Sequence, residues 1–430
     1  MNNCLIKGGR VIDPARQLDA VADIWVEGGR IKAVEPNLEL LDSPPPISAQ
    51  GLWILPGLID MHVHLREPGH EYKEDLQSGL TAAVAGGFTT VLAMPNTSPP
   101  LDEAGLIAGL AHQAQQIRGA RLSLAAAMTR GRQGQELCEY QDLKAAGAQA
   151  VTDDGSWVAD SRVMRRVLDY AAVCGLLPLS HAQDPWLARG DISEGRVSTR
   201  LGLPGIPAQC EEIAVFRDIA LAELTGQPLH ICHLSTRQAT RLVRAARAKG
   251  LPVTAETAPH YLFLTDEDVG DYNTAAKMNP PLGSDLDQAA LREALLDGTI
   301  SVIASDHAPH STLEKELEFG DAAFGIIGLE TSLPLMLELA RIIDLPIARL
   351  VELMSKNPAK LLNLPGGSLA PGGPADITIV DPNLEFTYEA QQGFSKSHNT
   401  PFDGRKFQGR AVITIVGGEI RYRYPRLSQN

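Results

Sequence analysis

Short apolar runs alternate with amphipathic, alanine- and leucine-rich segments between about residues 53 and 365. This alternation is typical of βα units, in which buried parallel strands are separated by helices. Eight segments have the apolar, β-branched character of buried strands: LWILPGLID, FTTVLAMP, RLSLAAAM, AQAVTDD, LLPLSHA, PLHICHLS, PVTAETAP and ISVIASDH. Eight such units in this length of chain predict an α/β fold, a (β/α)8 TIM-like barrel.

Amphipathic segments between these strands predict the helices of the barrel. Examples run from Glu103 to Gly119, Ser161 to Gly175, Glu211 to Gly226, Thr236 to Gly250 and Asp285 to Gly298. Each of these segments ends at a glycine, a residue that suits the left-handed position after a helix. A doubly wound open sheet is the alternative fold, but no GxGxxG or P-loop motif follows any of the strands, so we favour the barrel.

The two ends of the chain have a different texture, with β-branched runs separated by glycine pairs. Gly8-Gly9-Arg10 and Gly28-Gly29-Arg30 predict two hairpin-like turns, and Gly417-Gly418 lies at the corresponding place near the other end. We expect both ends to form one small β-sandwich domain, with two unrelated terminal segments as the alternative. The predicted domains are residues 1–52 with 366–430 for the β domain and 53–365 for the barrel.

Composition and charge narrow the class of protein. The 430 residues are 44% apolar and include 39 Gly and 29 Pro, which excludes a disordered, collagenous or coiled-coil chain. The formal net charge of −14, without a Lys/Arg-rich run, repels a phosphate backbone, so we expect no nucleic-acid partner. No segment approaches the roughly 18 to 20 apolar residues of a membrane span, and MNNCLIKGGR lacks the features of a signal peptide. We therefore expect a cytoplasmic protein without membrane contact.

The cysteines direct attention to other metal ligands. Five cysteines are scattered along the chain without CxxC spacing. This arrangement suggests neither a disulfide framework nor a thiolate zinc site. A metal bound to this chain would therefore have histidine and carboxylate ligands.

The first predicted barrel strand carries an HxH pair near its end. Because side chains alternate along a strand, LIDMHVHLREPG places Asp60, His62, His64 and Arg66 on one face. Both imidazoles of the pair can then reach one metal ion. A single histidine at such a place would be read as a core residue, but the pair at this spacing favours a metal site.

Further potential ligands lie at the ends of other strand candidates: His181, His233 and Asp306. In such barrels the carboxyl ends of the strands carry the catalytic residues. With the HxH pair, these side chains exceed what one tetrahedral zinc needs, which predicts two ions about 3.5–4 Å apart. A bridging anion is then required, and Asp153 or Asp154 in the lysine-free segment AQAVTDDG can supply it. The alternative is an aspartate turn that caps the next helix.

At these residues the sequence resembles the amidohydrolase superfamily, and within it the dihydroorotases that use aspartate at the bridging position. The resemblance spans nearly the whole chain, including the terminal β unit, and the matching motifs occur in the order of that family. They are DMHVHLREPG (60–69), AMPNTSPP (93–100), VTDDG (151–155), ICHLST (231–236), ETAPHYL (256–262), MNPPL (278–282), IASDHAPH (303–310) and FGIIGLET (324–331).

The resemblance implies a zinc centre, with two ions per chain expected and one as the alternative. It makes His62, His64 and Asp306 ligands of one ion and His181 and His233 ligands of the other. Asp154 would be the bridge, because the second Asp of TDDG keeps the spacing of the family to His181, with Asp153 as the fallback.

The resemblance also implies a pocket for a small anionic substrate. Arg66 can bind an α-carboxylate with its planar guanidinium. For Asn96 and Asn279 the alternative is a turn residue beside a proline. The full set of implied substrate contacts is Arg66, Asn96, Asn279, His310, Phe324 and Gly325.

The implied reaction is the reversible cyclisation of N-carbamoyl-L-aspartate to dihydroorotate in de novo pyrimidine (UMP) biosynthesis. A metal-activated hydroxide would open the ring, with Asp306 as the catalytic acid and base. One alternative is a hydantoinase- or allantoinase-like enzyme, although such relatives bridge with a carboxylated lysine. The other is a non-catalytic homologue that partners aspartate transcarbamoylase.

Two further expectations concern partners and mobility. The resemblance implies a homodimer, and an association with aspartate transcarbamoylase stays open. Residues 311–323 are polar and contain no obvious strand, which predicts a loop over the mouth of the site. The alternative for this segment is a passive connection.

Overall fold

Eight parallel strands form a nearly closed barrel in the computed structural model, which describes residues 3–40 and 44–425. The strands are Leu58–Val63, Phe88–Ala93, Arg121–Ala126, Ala148–Val151, Leu177–Ser180, Leu229–Ile231, Val253–Thr257 and Val302–Ile303. Each pairs in parallel with the next along the chain. The last strand region meets the first where the His64 N–H donates to the His307 carbonyl, at 2.8 Å. The predicted barrel is confirmed.

The barrel strands are mostly apolar because both of their faces are covered. Every residue of Leu58–Val63 and of Phe88–Ala93 is buried. Parallel strands in such barrels have side chains packed inside and helices packed outside. This explains why their sequences are continuous apolar runs rather than alternating ones.

Helices follow most of the barrel strands and end close to the predicted residues. Ser161–Cys174 and Gln209–Thr225 stop at Gly175 and Gly226, whose φ angles of 64° and 67° confirm left-handed ends. Among the described residues, no helix has the length and apolar character needed to cross a bilayer. The other α-helices are Leu76–Gly86, Ala104–Ala114, Tyr140–Ala145, Arg196–Leu201, Arg237–Ala248, Pro259–Phe263, Asp285–Leu296, Thr312–Lys315, Ser332–Ile342, Ile347–Val351 and Asn357–Leu361.

A second sheet draws its strands from both ends of the chain, as predicted. Its strands are Cys4–Asp13, Leu18–Glu27, Arg30–Glu35, Ile47–Ser48, Trp53–Pro56, Ile377–Thr387, Lys406–Val416 and Glu419–Arg423. The N-terminal and C-terminal strands meet where Trp53–Pro56 pairs with Cys4–Asp13 on one side and Ile377–Thr387 on the other. The bounds of the two domains at residues 52 and 366 stay a prediction.

The first strand candidate, residues 52–60, divides between the two sheets. Trp53–Pro56 belongs to the terminal sheet, and only Leu58–Val63 enters the barrel. The chain crosses between the sheets at Gly57, where a Cβ atom would collide with the side chain of Thr89. The apolar run is continuous in sequence because both sheets bury it.

One predicted turn is wrong. Gly8 and Gly9 lie inside the strand Cys4–Asp13, at an irregularity of the pairing between Ile6 and Gly9, and not at a hairpin. Gly8 has a φ of 76°, and a Cβ atom on Gly9 would lie 2.5 Å from Cδ1 of Ile54. These glycines therefore serve a bulge and a close approach between strands. The turns at Gly28-Gly29 and Gly417-Gly418 are confirmed.

Thr378 connects the terminal sheet to the barrel. It is fully buried, and its hydroxyl donates to the Gly87 carbonyl at 2.6 Å and accepts from the Leu58 N–H at 3.2 Å. Thr414 makes a similar bond to the Val84 carbonyl at 2.7 Å. The two domains thus share buried hydrogen bonds, and each bond would leave unpaired groups if broken.

We expect Thr378→Val to destabilise the protein while preserving its shape. The substitution removes the hydroxyl from Gly87 and Leu58, so the free energy of unfolding should fall by about 1–3 kcal/mol. Thermal unfolding followed by calorimetry measures the effect. Thr387→Val, at an exposed position of the same strand, is the control and should change stability by less than about 0.5 kcal/mol. Equal losses in the two variants would contradict this role of Thr378.

Candidate metal centre and substrate pocket

The predicted metal ligands meet at the carboxyl ends of the barrel strands. His62 lies near the end of the first strand, and the others lie within three residues after strand ends. Because parallel strands end on the same side, their side chains converge there. All are buried: His62, His64, Asp154, His181, His233 and Asp306.

Asp154 lies at the centre of this cluster. Its Oδ1 is 3.4 Å from Nε2 of His62, 3.4 Å from Nδ1 of His181 and 3.7 Å from Nε2 of His233. Its Oδ2 is 3.6 Å from Nε2 of His64. One carboxylate therefore faces four imidazoles, which is the placement that a bridging ligand needs.

Asp153 points away from the imidazoles. Its Oδ1 accepts from the Thr129 N–H at 3.0 Å, and its Oδ2 accepts from the Thr129 hydroxyl. Arg132 donates to the carbonyl of Asp154. These bonds fix the turn that presents Asp154 to the cluster.

Asp306 lies on the other side of the HxH pair. Its Oδ1 is 3.2 Å from Nε2 of His64 and 3.6 Å from Nε2 of His62. Burial alone would raise the pKa of Asp306, but His62 and His64 outweigh it and hold the pKa well below its usual range. The pKa of Asp154 is likewise lowered by His62, His181 and His233 against the effect of burial. Both carboxylates are therefore anionic at neutral pH, the form in which they bind metals.

The donor atoms of the cluster fit a divalent cation. Two groups, His62 with Asp154 and His233, and His62 with His64 and Asp306, each place three ligand atoms within 4.8 Å of one another. Nε2 of His62 and Oδ1 of Asp154 are buried without a hydrogen-bond partner. Buried polar atoms without partners are costly. A cation with nitrogen and oxygen ligands, such as zinc, would satisfy them.

Glu256 orients the ring of His62, a role that was not predicted from the sequence. Its Oε1 lies 2.7 Å from Nδ1 of His62, and its Oε2 lies 3.2 Å from Nε2 of His230. Nδ1 of His230 lies 2.8 Å from the hydroxyl oxygen of Thr254, which holds this ring in turn. Because Glu256 accepts the Nδ1 proton of His62, Nε2 remains free to face the cluster. A carboxylate inside a buried strand is itself a signal, since such groups are rarely buried without partners.

Cys232 also lies beside His62 and Glu256, and these three form a further group with close ligand atoms. Burial raises the pKa of the Cys232 thiol. The thiolate, and not the thiol, is the metal-binding form. The sulfur therefore packs as a neutral group at neutral pH.

A cavity of about 280 Å³ opens beside the cluster. Its lining contains all the residues that the sequence analysis assigned to substrate binding: Arg66, Asn96, Asn279, His310, Phe324 and Gly325. His64, Asp154, His181, His233 and Asp306 also line it. The volume suits a small molecule of one ring, held between the metal ligands and Arg66.

Arg66 brings a positive charge into this cavity. The residue is 9% exposed, and its Nε donates to the Pro309 carbonyl at 3.1 Å. Burial lowers its pKa to about 10, so the guanidinium is still charged at neutral pH. Nε2 of His310 lies 3.2 Å from a guanidinium nitrogen of Arg66. Burial, together with the charges of Arg66 and Lys73, lowers the pKa of His310 to about 2. The pocket thus places a cation beside an imidazole that is uncharged at neutral pH.

The two predicted asparagines touch metal-ligand candidates as well as the cavity. Oδ1 of Asn96 lies 2.9 Å from Nδ1 of His64, which leaves Nε2 of that ring to face Asp306. Nδ2 of Asn279 lies 3.4 Å from Nε2 of His181. These side chains can therefore orient the imidazoles in addition to contacting a substrate.

The segment 311–323 connects two residues that line the cavity, His310 and Phe324. It includes the short helix Thr312–Lys315, and the buried Lys315 donates to the carbonyls of Ala323 at 2.7 Å and Gly325 at 3.1 Å. Lys277 donates to the Gly320 carbonyl at 2.9 Å and to Asp191 at 3.0 Å. Two buried lysine side chains thus hold this segment, and its place as a loop over the mouth of the site stays a prediction.

Known proteins match this chain over nearly all of its length. The Amidohydrolase family matches residues 53–421. The chain is 50% identical to the dihydroorotase of Desulfotalea psychrophila over 419 residues, which cover 97% of this chain and 99% of that protein. It is 49% identical to the dihydroorotase of Geobacter metallireducens over 424 residues, which cover 98% of this chain and 100% of that protein.

Solved structures with the same architecture include two hydantoinases. The L-hydantoinase (dihydropyrimidinase) from Arthrobacter aurescens superposes with a TM-score of 0.88 at 27% identity, covering 98% of this chain and 96% of that one. The D-hydantoinase (dihydropyrimidinase) from a Thermus species has a TM-score of 0.82 at 25% identity, covering 98% of this chain and 95% of that one. The chain therefore belongs to the amidohydrolase family, as its motifs predict, and the two dihydroorotases are about half identical to it over nearly its full length.

Proposed function

We propose that this protein is a zinc-dependent dihydroorotase. It would catalyse the reversible cyclisation of N-carbamoyl-L-aspartate to dihydroorotate in pyrimidine biosynthesis. The observation that carries the proposal is the cavity in which the buried guanidinium of Arg66 faces the cluster of four histidines and two aspartates. The dihydroorotases that are about half identical to this chain support it.

Arg66 supplies the specificity in this proposal. Dihydroorotate carries an α-carboxylate, and a planar guanidinium can bind a carboxylate through two parallel hydrogen bonds. Because Arg66 is buried, solvent and salt screen its charge little. The neutral His310 beside it adds a hydrogen-bonding group without adding a second charge. Asn96, Asn279 and the Phe324–Gly325 turn complete the pocket around the ring.

The six clustered side chains would hold two zinc ions. His62, His64 and Asp306 form the proposed ligand set of one ion, and His181 and His233 that of the other. Asp154 is the proposed bridge, since its two oxygens face the histidines of both sets. When bound, zinc polarises the ring carbonyl and lowers the pKa of water to about 7.

Asp306 is the proposed proton carrier. Its carboxylate is anionic and lines the cavity, so it can accept a proton from the attacking water and return it to the ring nitrogen as the amide opens. In the synthetic direction the carbamoyl nitrogen attacks the carbon of the protonated side-chain carboxyl group, and Asp306 passes the proton of that nitrogen to the oxygen that leaves as water.

The alternatives differ from this proposal at particular residues. The hydantoinase neighbours share the fold at 27% identity or less, and their named reactions do not require a cation for an α-carboxylate. A non-catalytic homologue has no need of six clustered ligands with unpaired buried atoms. The homodimer, the association with aspartate transcarbamoylase and the cytoplasmic location stay predictions.

Arg66→Gln should discriminate between a dihydroorotase and a hydantoinase-like enzyme. Loss of the buried cation should lower kcat/KM for dihydroorotate by about 30- to 5,000-fold, since breaking a buried charged pair costs about 2–5 kcal/mol. Turnover of dihydrouracil, which lacks the carboxylate, should change little. Steady-state kinetics of the wild type and the variant on both substrates measures this. Equal losses on both substrates would overturn the assignment of Arg66.

Asp306→Asn should reduce kcat by about 100- to 10,000-fold, the usual contribution of a positioned proton carrier. The amide keeps an oxygen ligand but cannot accept the proton. Zinc content per chain, measured by atomic spectroscopy on the same sample, separates lost metal from lost proton transfer. Near wild-type turnover at full zinc content would show that another group carries the proton.

Glu256→Gln should weaken zinc binding about 10- to 100-fold, because the amide can present its N–H to His62 and reverse the preferred tautomer. Competition with a chromophoric chelator, starting from metal-free protein, gives the affinity. Asp13→Asn is the control, because Asp13 is equally buried but binds Ser368 and Leu369 in the terminal domain. The control should leave zinc affinity unchanged even where stability falls.

A further inference from the structure

Asn399 lies between two loops that border the substrate cavity, although it belongs to neither. It is 7% exposed and lies on the connection between the strands Ile377–Thr387 and Lys406–Val416 of the terminal sheet. Its Oδ1 accepts from the His310 N–H at 3.0 Å. Its Nδ2 donates to the carbonyls of Ala308 and Gly325, both at 3.0 Å.

These bonds require a carboxamide. The oxygen meets a backbone donor and the nitrogen meets two backbone acceptors, so the opposite orientation of the amide would lose all three bonds. A carboxylate would place a negative oxygen against two carbonyl oxygens. The main chain extends the connection, because the Ile327 N–H donates to the Asn399 carbonyl at 3.0 Å.

Gly325 is the point at which these bonds converge. Its N–H donates to the Lys277 carbonyl at 2.9 Å, and its carbonyl accepts from Lys315 as well as from Asn399. Its φ is 129°, and a Cβ atom here would lie 2.6 Å from Cβ of Ala308. Both backbone groups of Gly325 are therefore engaged within the protein. Gly325 therefore contributes the position of its backbone to the cavity wall, and Asn399 helps to hold that position.

The segment that carries Asn399 is itself fixed to the loop after the first barrel strand. The Lys396 N–H donates to Glu74 at 3.1 Å, and the Ser397 hydroxyl donates to the Lys73 carbonyl at 2.7 Å. The Ser395 hydroxyl also donates to Glu74. Residues 395–399 thus join the loop that follows Arg66 to the loops that carry His310 and Gly325.

We propose that Asn399 is a positioning residue for substrate binding, whose carboxamide sets the separation between His310 and the Phe324–Gly325 turn. The inference rests on the proposed function, because the substrate it concerns is dihydroorotate. Asn399 does not line the cavity and touches none of the six metal-ligand candidates through its side chain. Its loss should therefore impair substrate binding and leave the chemical step and the zinc content intact.

The test compares Asn399→Ala and Asn399→Ser with the wild type. With Asn399→Ala, three hydrogen bonds are lost, and KM for dihydroorotate should rise about ten-fold while kcat and zinc content change less than about two-fold. The hydroxyl of the serine variant can restore one bond and should give a smaller rise. Asn399→Ser also keeps the test available if the alanine variant does not fold.

The control variant is Asn357→Ala. Nδ2 of Asn357 donates to the Ser301 carbonyl at 2.8 Å, next to the start of the eighth barrel strand and away from the cavity. A role in stability alone predicts that both alanine variants lower the melting temperature without changing KM. The proposal predicts a change of KM for Asn399→Ala only.

Hydrogen exchange separates this proposal from the proposed function. In Asn399→Ala the amide of His310, which loses its acceptor, should exchange faster than in the wild type, whether or not the protein turns over dihydroorotate. If the wild type did not turn over dihydroorotate, the proposed function would be rejected, but the exchange rates would still test the role of Asn399. Unchanged exchange, an unchanged KM, or a fall of kcat as large as the rise of KM would each overturn the role of Asn399.

Discussion

The buried carboxylate of Asp154 among four imidazoles is the interaction on which the arrangement of the site depends. A charged group in the barrel interior is stable only when its neighbours compensate for the lost water. The turn at Thr129 and Arg132 aims it, and Glu256 and Asn96 orient two of the facing rings. Even so, buried donor and acceptor atoms remain unpaired in the cluster. The centre is therefore built to be completed by a cation.

The acidic character of the whole chain and the charge of the pocket are opposite in sign. A net charge of −14 would disfavour an anionic substrate at long range. Inside the cavity, the attraction between an anion and Arg66 dominates, because Arg66 is buried and its charge is little screened. Salt screens most surface charges within about 8–10 Å. The proposed zinc ions would add to this local positive charge. Binding of an anion is thus decided by a few buried groups and not by the net charge.

The terminal sheet contributes to the pocket as well as to stability. Its hydrogen bonds through Thr378 and Thr414 join it to the base of the barrel. At the opposite face, the connection that carries Asn399 reaches the loops of His310 and Gly325. A domain formed from the two ends of the chain therefore supports the substrate loops that follow the eighth strand.

The sequence by itself determined the eight barrel strands, several helix ends and the set of ligand candidates, because burial on both faces and strand-end histidines leave local patterns. It misread Gly8-Gly9 as a turn and residues 52–60 as one strand, since close packing between strands is invisible in a local pattern. Only the tertiary structure decided that Glu256 orients His62 and that Asn399 joins His310 to Gly325. These partners are 194, 89 and 74 residues apart, and a hydrogen bond depends on atomic positions that the closed barrel alone brings together.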